Sequence, residues 1–111
     1  VTILSDNRVA KVLDSTEKIT EDAIWKEEFL ALKLLIGEVS TLDEAIDMIN
    51  THSGKHSAAI ITENTTEALH FMNHIDSAAV YHNASTRFTD GGQMGVCTSC
   101  KESSIALLRE Y

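Results

Sequence analysis

The sequence is poor in the residues that mark several protein classes. It has no proline, only two cysteines, and 9 Lys and Arg residues against 17 Asp and Glu, which gives a formal net charge of −8. Proteins that bind nucleic acids or anionic membranes need clustered basic side chains, and no three basic residues are consecutive here. Two cysteines are too few for a disulfide scaffold. We therefore expect a small-molecule or protein partner, with no nucleic acid and no membrane.

Targeting signals are missing as well. No apolar stretch approaches the roughly 20 residues of a membrane-spanning helix. Residues 1–6 lack the basic and apolar regions of a signal peptide. These observations lead us to expect a cytoplasmic protein. The length of 111 residues predicts one domain with a core of ordinary size.

Strand and helix patterns alternate through the middle of the chain. Near-continuous apolar residues predict a buried strand over 32–39, with a helix as the competing interpretation because leucine also favours helices. Residues 58–62 and 78–82 predict two further short strands, and a helical pattern separates each pair of neighbouring strands. This alternation predicts an α/β fold in which helices pack on a small, mostly parallel sheet, in the order strand-helix-strand-helix-strand.

The two predicted helices have recognisable boundaries. Thr41 and Glu44 fit a capping box at the start of the first helix, and Asn64 is a suitable N-cap for the second. Gly54 would end the first helix in the left-handed conformation. Apolar residues at helical spacing predict the buried face of each helix. The first stripe contains Leu42, Ala45, Ile46 and Ile49, and the second contains Ala68, Leu69, Met72 and Ile75.

The two ends of the chain have less regular patterns. Residues 1–24 predict a strand or a short helix followed by a surface connection. In residues 101–111, the spacing of Ile105, Leu107 and Leu108 predicts a short amphipathic helix.

A polar segment follows the last predicted strand. Residues 83–92 read Asn-Ala-Ser-Thr-Arg-Phe-Thr-Asp-Gly-Gly, and α/β proteins bind ligands in loops at the carboxyl ends of buried strands. Arg87 could bind a phosphate or carboxylate with two parallel hydrogen bonds. The alternative is a loop whose hydroxyls satisfy their own turns, with Arg87 paired to Asp90. The candidate substrate-binding residues are Asn83, Ser85, Thr86 and Arg87.

Two other patterns could serve metal or redox chemistry. The spacing of Cys97 and Cys100 suits a redox disulfide or half of a zinc site. No second pair of cysteines exists, and the motif lies near the carboxyl terminus, so we interpret these cysteines as incidental. His70 and His74 are one helical turn apart and could share a metal, but helix-surface histidines are usually solvated. We therefore predict no metal site.

Several of these segments resemble gamma-glutamyl phosphate reductase (glutamate-5-semialdehyde dehydrogenase), of the aldehyde dehydrogenase superfamily. The most specific block is residues 83–92. Less specific blocks are Glu28-Phe29-Leu30, residues 42–46, residues 56–60 and residues 76–81. The resemblance implies the carboxyl-terminal part of the catalytic domain only, roughly the carboxyl-terminal quarter of such an enzyme. The single domain over 1–111 would then have an irregular lead-in at 1–24, a family-like core at 25–95 and a divergent tail at 96–111.

The resemblance also implies an activity, which is the NADPH-dependent reduction of gamma-glutamyl phosphate to glutamate 5-semialdehyde in proline biosynthesis. Glu28 stands where the superfamily uses a glutamate near the nicotinamide ribose, and a carboxylate can accept hydrogen bonds from both ribose hydroxyls. The alternative is a solvated acid before a strand. The family's nucleophilic cysteine and dinucleotide domain have no counterpart, since the chain has no cysteine before Cys97 and no Gly-x-Gly-x-x-Gly motif. No catalytic residue is therefore assigned, and we expect the isolated chain to be inactive.

Three functional hypotheses remain at this point. The first is part of an oxidoreductase. The second is a non-catalytic binding or assembly module that uses the loop around Arg87 to hold an anion. The third is a small metal- or thiol-based regulator that uses Cys97, Cys100, His70 and His74. Apolar surface exposed on such a chain would favour a homo-oligomer.

Overall fold

The computed structural model describes residues 1–89 and 105–109. These residues form two compact units, one containing Val1–Ala45 and the last strand, the other beginning at Ile46. Short 3-10 helices cover Val9–Lys11, Asp22–Lys26 and Thr86–Thr89. The strands and α-helices are, in chain order, β1 (Thr2–Ser5), β2 (Glu17–Lys18), β3 (Lys33–Val39), α1 (Leu42–His52), β4 (Ser57–Ile60), α2 (Thr65–His74), β5 (Ala79–His82) and β6 (Ile105–Arg109).

The first unit contains a parallel sheet in the order β2-β1-β3-β6. Strand β3 is central, because β1 pairs with one edge and β6 with the other. Its side chains are correspondingly buried, with Leu35 at 0% and Val39 at 2% exposure. The predicted strand at 32–39 is therefore confirmed, and the helical alternative is wrong. A near-continuous apolar run is what a strand covered on both faces requires.

Both ends of the chain contribute strands to this sheet. Residues 1–24, where a strand or a short helix was predicted, contain β1, β2 and a 3-10 helix. The prediction of a helix in the tail is wrong for Ile105–Arg109, which forms β6 and pairs in parallel with β3 from Leu35 to Val39. Leucine-rich helix propensity is a weak preference. The open edge of β3 offers backbone hydrogen bonds that outweigh it.

The second unit contains a βαβ motif. Strands β4 and β5 pair in parallel from Ser57 with Ala79 to Ile60 with His82, and α2 connects them. The predicted α/β class with parallel strands is confirmed. The three predicted strands do not share one sheet, however, because β3 lies in the four-stranded sheet, whereas β4 and β5 form a separate two-stranded sheet. The prediction of one domain over residues 1–111 stays a prediction.

Helix α1 begins at the predicted capping box. The Thr41 hydroxyl accepts a hydrogen bond from the Glu44 N–H at 3.1 Å, and the Glu44 carboxylate accepts from the Ser40 N–H at 2.9 Å. The glutamate thus reaches back one residue further than the usual motif. The predicted apolar stripe is buried or half-buried at all four positions. Among the described residues, no helix has the length and apolar content to cross a bilayer.

Helix α2 buries a different face from the predicted one. Ala68, Phe71 and Ile75 are buried, whereas Leu69 is 61% and Met72 41% exposed. The prediction was right for Ala68 and Ile75 and wrong for Leu69 and Met72. Two stripes of similar spacing competed, and the helix buries the one that contains the aromatic ring, because a phenylalanine removes a large apolar area from water.

The left-handed residue after α1 is Lys55, with φ of 58°, not the predicted Gly54. The Lys55 carbonyl accepts a hydrogen bond from the Ala78 N–H at 3.0 Å. The turn therefore places Lys55, and not the glycine, beside the start of β5.

The carboxylate of Asp6 joins the end of β1 to β3. Its Oδ1 accepts from the N–H groups of Arg8 at 3.0 Å and Val9 at 2.9 Å, and its Oδ2 accepts from the Glu38 N–H at 2.9 Å. One side chain thus caps the turn after β1 and fixes that turn to the neighbouring strand. Hydrogen bonds to a charged acceptor are stronger than neutral ones.

Replacing Asp6 with asparagine is expected to lower the free energy of unfolding by about 1–3 kcal/mol, because one acceptor oxygen becomes an amide that cannot accept a hydrogen bond. Urea unfolding followed by circular dichroism would measure the change. Asp14→Asn is the matched control, since Asp14 is exposed and should shift stability by less than about 0.5 kcal/mol. Equal effects of the two substitutions would contradict the role assigned to Asp6.

Candidate functional site

The polar loop begins where the β4–β5 pair ends. Ile60 and His82 are the last paired residues, and the Asn83 N–H continues the pairing with a 2.8 Å hydrogen bond to the Ile60 carbonyl. Residues 83–89 therefore leave the sheet at the carboxyl edge of two parallel strands. This is the edge at which open α/β sheets bind ligands, and the position predicted from the sequence is confirmed.

Asn83 fixes the direction in which the chain leaves the sheet. Its backbone is left-handed, with φ of 52°, a conformation that asparagine tolerates better than most residues. Its side-chain Oδ1 accepts from the Thr62 N–H at 2.9 Å, and its Nδ2 donates to the Thr62 carbonyl at 3.0 Å. The side-chain amide thus pairs with the backbone N–H and carbonyl of Thr62, as the peptide groups of a neighbouring strand would.

Thr62 is the point at which several of these contacts meet. Its carbonyl also accepts from the His82 Nε2 at 2.9 Å, so the proton of the imidazole lies on Nε2. Its hydroxyl accepts from the Asn64 N–H at 3.1 Å. The sequence analysis missed Thr62. A hydroxyl residue two positions before an N-cap is the signal that could have indicated it.

Asn64 links this point to the start of α2. Its Oδ1 accepts from the N–H groups of Thr66 at 3.0 Å and Glu67 at 3.2 Å, which confirms the predicted N-cap. The short segment between β4 and α2 is therefore hydrogen-bonded both to the start of α2, through Asn64, and to the start of the polar loop, through Thr62.

Beyond Asn83 the loop forms a short 3-10 helix, Thr86–Thr89. The Ser85 hydroxyl accepts from the Arg87 N–H at 3.1 Å, and the Ser85 carbonyl accepts from the Phe88 N–H at 3.2 Å. The hydroxyl of Ser85 thus satisfies its own turn, as the alternative interpretation of the loop expected. Its assignment as a substrate ligand stays a prediction.

The guanidinium of Arg87 is exposed. Lys55 and Asp76 form an ion pair at the opposite, amino end of β4 and β5. The expected alternative partner of Arg87 was Asp90, which lies outside the described residues together with Gly91 and Gly92. Thr86 is half-buried beside it. The substrate-binding roles of Asn83, Thr86 and Arg87 stay predictions.

Glu28 combines two properties that suit a ligand-binding carboxylate. It lies between the 3-10 helix Asp22–Lys26 and strand β3, and its Oε1 is shielded from solvent with no hydrogen-bond donor among the described residues. Shielding an acceptor without a partner costs free energy. A donor supplied by a ligand, such as a ribose hydroxyl, would remove that cost. The residue therefore fits the cofactor contact that the resemblance implied.

The predicted surface histidines contact each other. The ring centroids of His70 and His74 are 4.3 Å apart with a tilt of 37°, and the His74 Nδ1 lies 2.8 Å from the His70 carbonyl. No cluster of three or more metal-ligating side chains is found in the part of the chain that the structure describes. Cys97 and Cys100 lie outside it, so the interpretation of the cysteines as incidental stays a prediction.

Comparison with known proteins identifies relatives of this chain. The sequence profile of the Aldehyde dehydrogenase family matches residues 12–105. Gamma-glutamyl phosphate reductase of Bacillus cereus (strain B4264) is 47% identical over 95 residues, covering 86% of this chain and 23% of the relative. That of Clostridium tetani is 55% identical over 86 residues, covering 78% of this chain and 20% of the relative.

Two crystal structures have the same fold over most of this chain. Gamma-glutamyl phosphate reductase of Thermotoga maritima superposes with a TM-score of 0.79 at 44% identity, covering 86% of this chain and 23% of that protein. The Saccharomyces cerevisiae protein superposes with a TM-score of 0.61 at 35% identity, covering 86% and 25%. The chain spans about a quarter of the length of these relatives.

The resemblance inferred from residues 83–92 and the shorter blocks is confirmed by these comparisons. The family profile accounts for most of the chain, and it includes Glu28, both helices and the loop that carries Arg87. The chain belongs to the aldehyde dehydrogenase family.

Proposed function

We propose that this chain provides substrate- and cofactor-binding residues of a cytoplasmic, NADPH-dependent oxidoreductase that reduces gamma-glutamyl phosphate to glutamate 5-semialdehyde in proline biosynthesis. The observation that carries the proposal is the placement of the Arg87 loop at the carboxyl edge of the β4–β5 pair. The reaction is inferred from the similar proteins, which are gamma-glutamyl phosphate reductases. The chain itself supplies binding and orientation, and we assign it no nucleophile.

Arg87 would bind an anionic group of the substrate. Gamma-glutamyl phosphate carries a phosphoryl group and an α-carboxylate, and a guanidinium can bind either with two parallel hydrogen bonds. Because Ser85 fixes the backbone of Arg87 through a 3.1 Å hydrogen bond, the arginine projects from an ordered turn. The hydroxyls of Thr86 and Ser85 could add hydrogen bonds to the same group.

Glu28 would bind the nicotinamide ribose of the cofactor. NADPH, when bound, supplies the hydride that reduces the acyl group. The shielded Oε1 of Glu28 would accept a hydrogen bond from a ribose hydroxyl, which would orient the ribose through a side chain held between two ordered segments. A carboxylate accepts from both hydroxyls of a ribose, so the residue is suited to a nucleotide and not to the phosphate of the substrate.

Arg87→Ala is expected to weaken the binding of inorganic phosphate to this chain by at least about tenfold, since a charge-assisted hydrogen-bonded pair contributes roughly 1.5–3 kcal/mol. Isothermal titration calorimetry would measure the dissociation constant. Separate titrations with phosphate and with L-glutamate would show which anion the arginine binds. Arg8→Ala is the charge-matched control, because Arg8 is exposed and lies in the unit that does not contain Arg87. There it donates a hydrogen bond to Ser40. An unchanged affinity in Arg87→Ala would remove the proposal.

Glu28→Gln is expected to reduce the perturbation of amide resonances near residue 28 at a given NADPH concentration when NADPH is titrated into the chain. The amide keeps one acceptor oxygen but loses the charge, which should weaken the ribose contact by about tenfold. Two-dimensional NMR would measure the effect. Glu27→Gln is the control, because it removes the same charge from an exposed neighbour. Identical perturbations in the two variants would contradict the role of Glu28.

The purified 111-residue chain is expected to show no NADPH oxidation with gamma-glutamyl phosphate, because it has no cysteine before Cys97 and no Gly-x-Gly-x-x-Gly motif. Absorbance at the NADPH maximum would follow the reaction. Turnover above the background rate would contradict the proposal and require another nucleophile. A non-catalytic anion-binding or assembly module would also bind phosphate without turnover. NADPH binding at Glu28 distinguishes part of an oxidoreductase from such a module, because the module has no need of the cofactor.

A further inference from the structure

We propose that Asn83 is a positioning residue that orients the Arg87 loop through Thr62, and not a ligand of the substrate. This inference rests on the proposed function, because it concerns the same anion site. It assigns a different role to the first of the four residues that the sequence suggested for substrate binding. The observation that carries it is the pair of hydrogen bonds between the Asn83 amide and Thr62, at 2.9 and 3.0 Å.

The geometry of these bonds explains why the residue is an asparagine. The carboxamide is planar and presents an acceptor and a donor side by side. Binding the N–H and the carbonyl of Thr62 together fixes both the position and the plane of the side chain. An ionised aspartate has no donor and an alanine has no polar group, so neither can make both bonds. These bonds use one acceptor site of Oδ1 and one of the two N–H groups of Nδ2.

The backbone of Asn83 supports the same role. Its N–H donates to the Ile60 carbonyl at 2.8 Å, and its φ of 52° turns the chain out of the sheet immediately afterwards. The residue is therefore the last position of the β4–β5 pairing and the first position of the loop. A change in its φ would redirect every residue that follows, including Arg87.

Thr62 makes the support rigid. Its carbonyl accepts from the His82 Nε2 as well as from Asn83, and its hydroxyl accepts from the Asn64 N–H, the residue that caps α2. The segment that Asn83 binds is therefore held by a strand residue and by a helix cap. The loop is therefore attached to the folded part of the unit.

The experiment is a double-mutant cycle between Asn83 and Arg87, with inorganic phosphate as the probe and calorimetry of the full chain. We expect Asn83→Ala to weaken phosphate binding by about tenfold, the effect of losing one to two net hydrogen bonds. In the Arg87→Ala background, Asn83→Ala should cause no further loss, because a residue that acts through Arg87 has no effect without it. An equal loss in both backgrounds would overturn the inference and make Asn83 a direct ligand.

Hydrogen exchange of the Thr62 amide gives a second measurement that does not depend on phosphate. Its N–H should exchange more slowly in the unmodified chain than in Asn83→Ala, because Oδ1 of Asn83 accepts from it. Faster Thr62 exchange with unchanged phosphate affinity would overturn the positioning role. If Asn83→Ala does not fold, Asn83→Gly replaces it, since glycine accepts the positive φ and removes the amide together with Cβ.

Controls distinguish the inference from the proposed function. Asn73→Ala removes an exposed asparagine from α2 in the same unit and should leave both measurements unchanged. If Arg87→Ala binds phosphate as well as the unmodified chain does, the proposed function fails and the inference fails with it. If Arg87→Ala loses binding and Asn83→Ala does not, only the inference fails.

Discussion

The contact between the Asn83 amide and Thr62 is the interaction on which the candidate substrate site depends. The parallel pairing of β4 and β5 ends at Ile60 and His82, followed by one further backbone hydrogen bond from the Asn83 N–H to the Ile60 carbonyl. The asparagine amide takes the place of one more pair of peptide groups. Because the side-chain amide replaces a pair of peptide groups, the sheet ends and the loop begins at a single residue. The first residue of the loop is therefore anchored to the strands by hydrogen bonds.

The elements that the sequence predicted well are those whose signals are local. The capping box at Thr41 and the N-cap at Asn64 involve contacts within three or four residues, and both are present. The apolar run that became β3 also has a local signal, since a strand covered on both faces needs continuous apolar residues. The family resemblance likewise depends on a contiguous block, and the comparisons confirm it.

The predictions that were wrong depend on distant partners. Residues 105–109 form a strand because β3, more than sixty positions earlier, offers an open edge. The buried face of α2 depends on which of two stripes packs best, and the left-handed Lys55 depends on a hydrogen bond from Ala78. Propensity and periodicity contain no information about such partners. The same limit explains why Thr62, whose importance lies in contacts with residues 20 and 21 positions later, had no clear signal.

The Arg87 loop and Glu28 show that the composition of a segment does not by itself indicate the role of its residues. The loop is rich in polar groups, yet Asn83 and Ser85 direct theirs to neighbouring backbone, and among its described residues 83–88 the charged and exposed side chain is that of Arg87. Glu28 stands among ordinary acidic residues, yet it has a shielded oxygen without a described donor. A hydrogen-bonding group that its own fold satisfies contributes to shape, whereas one that the fold shields and leaves unsatisfied favours binding of a ligand donor. Under the proposals above, Asn83 supports the Arg87 loop, and the shielded oxygen of Glu28 contacts a ligand.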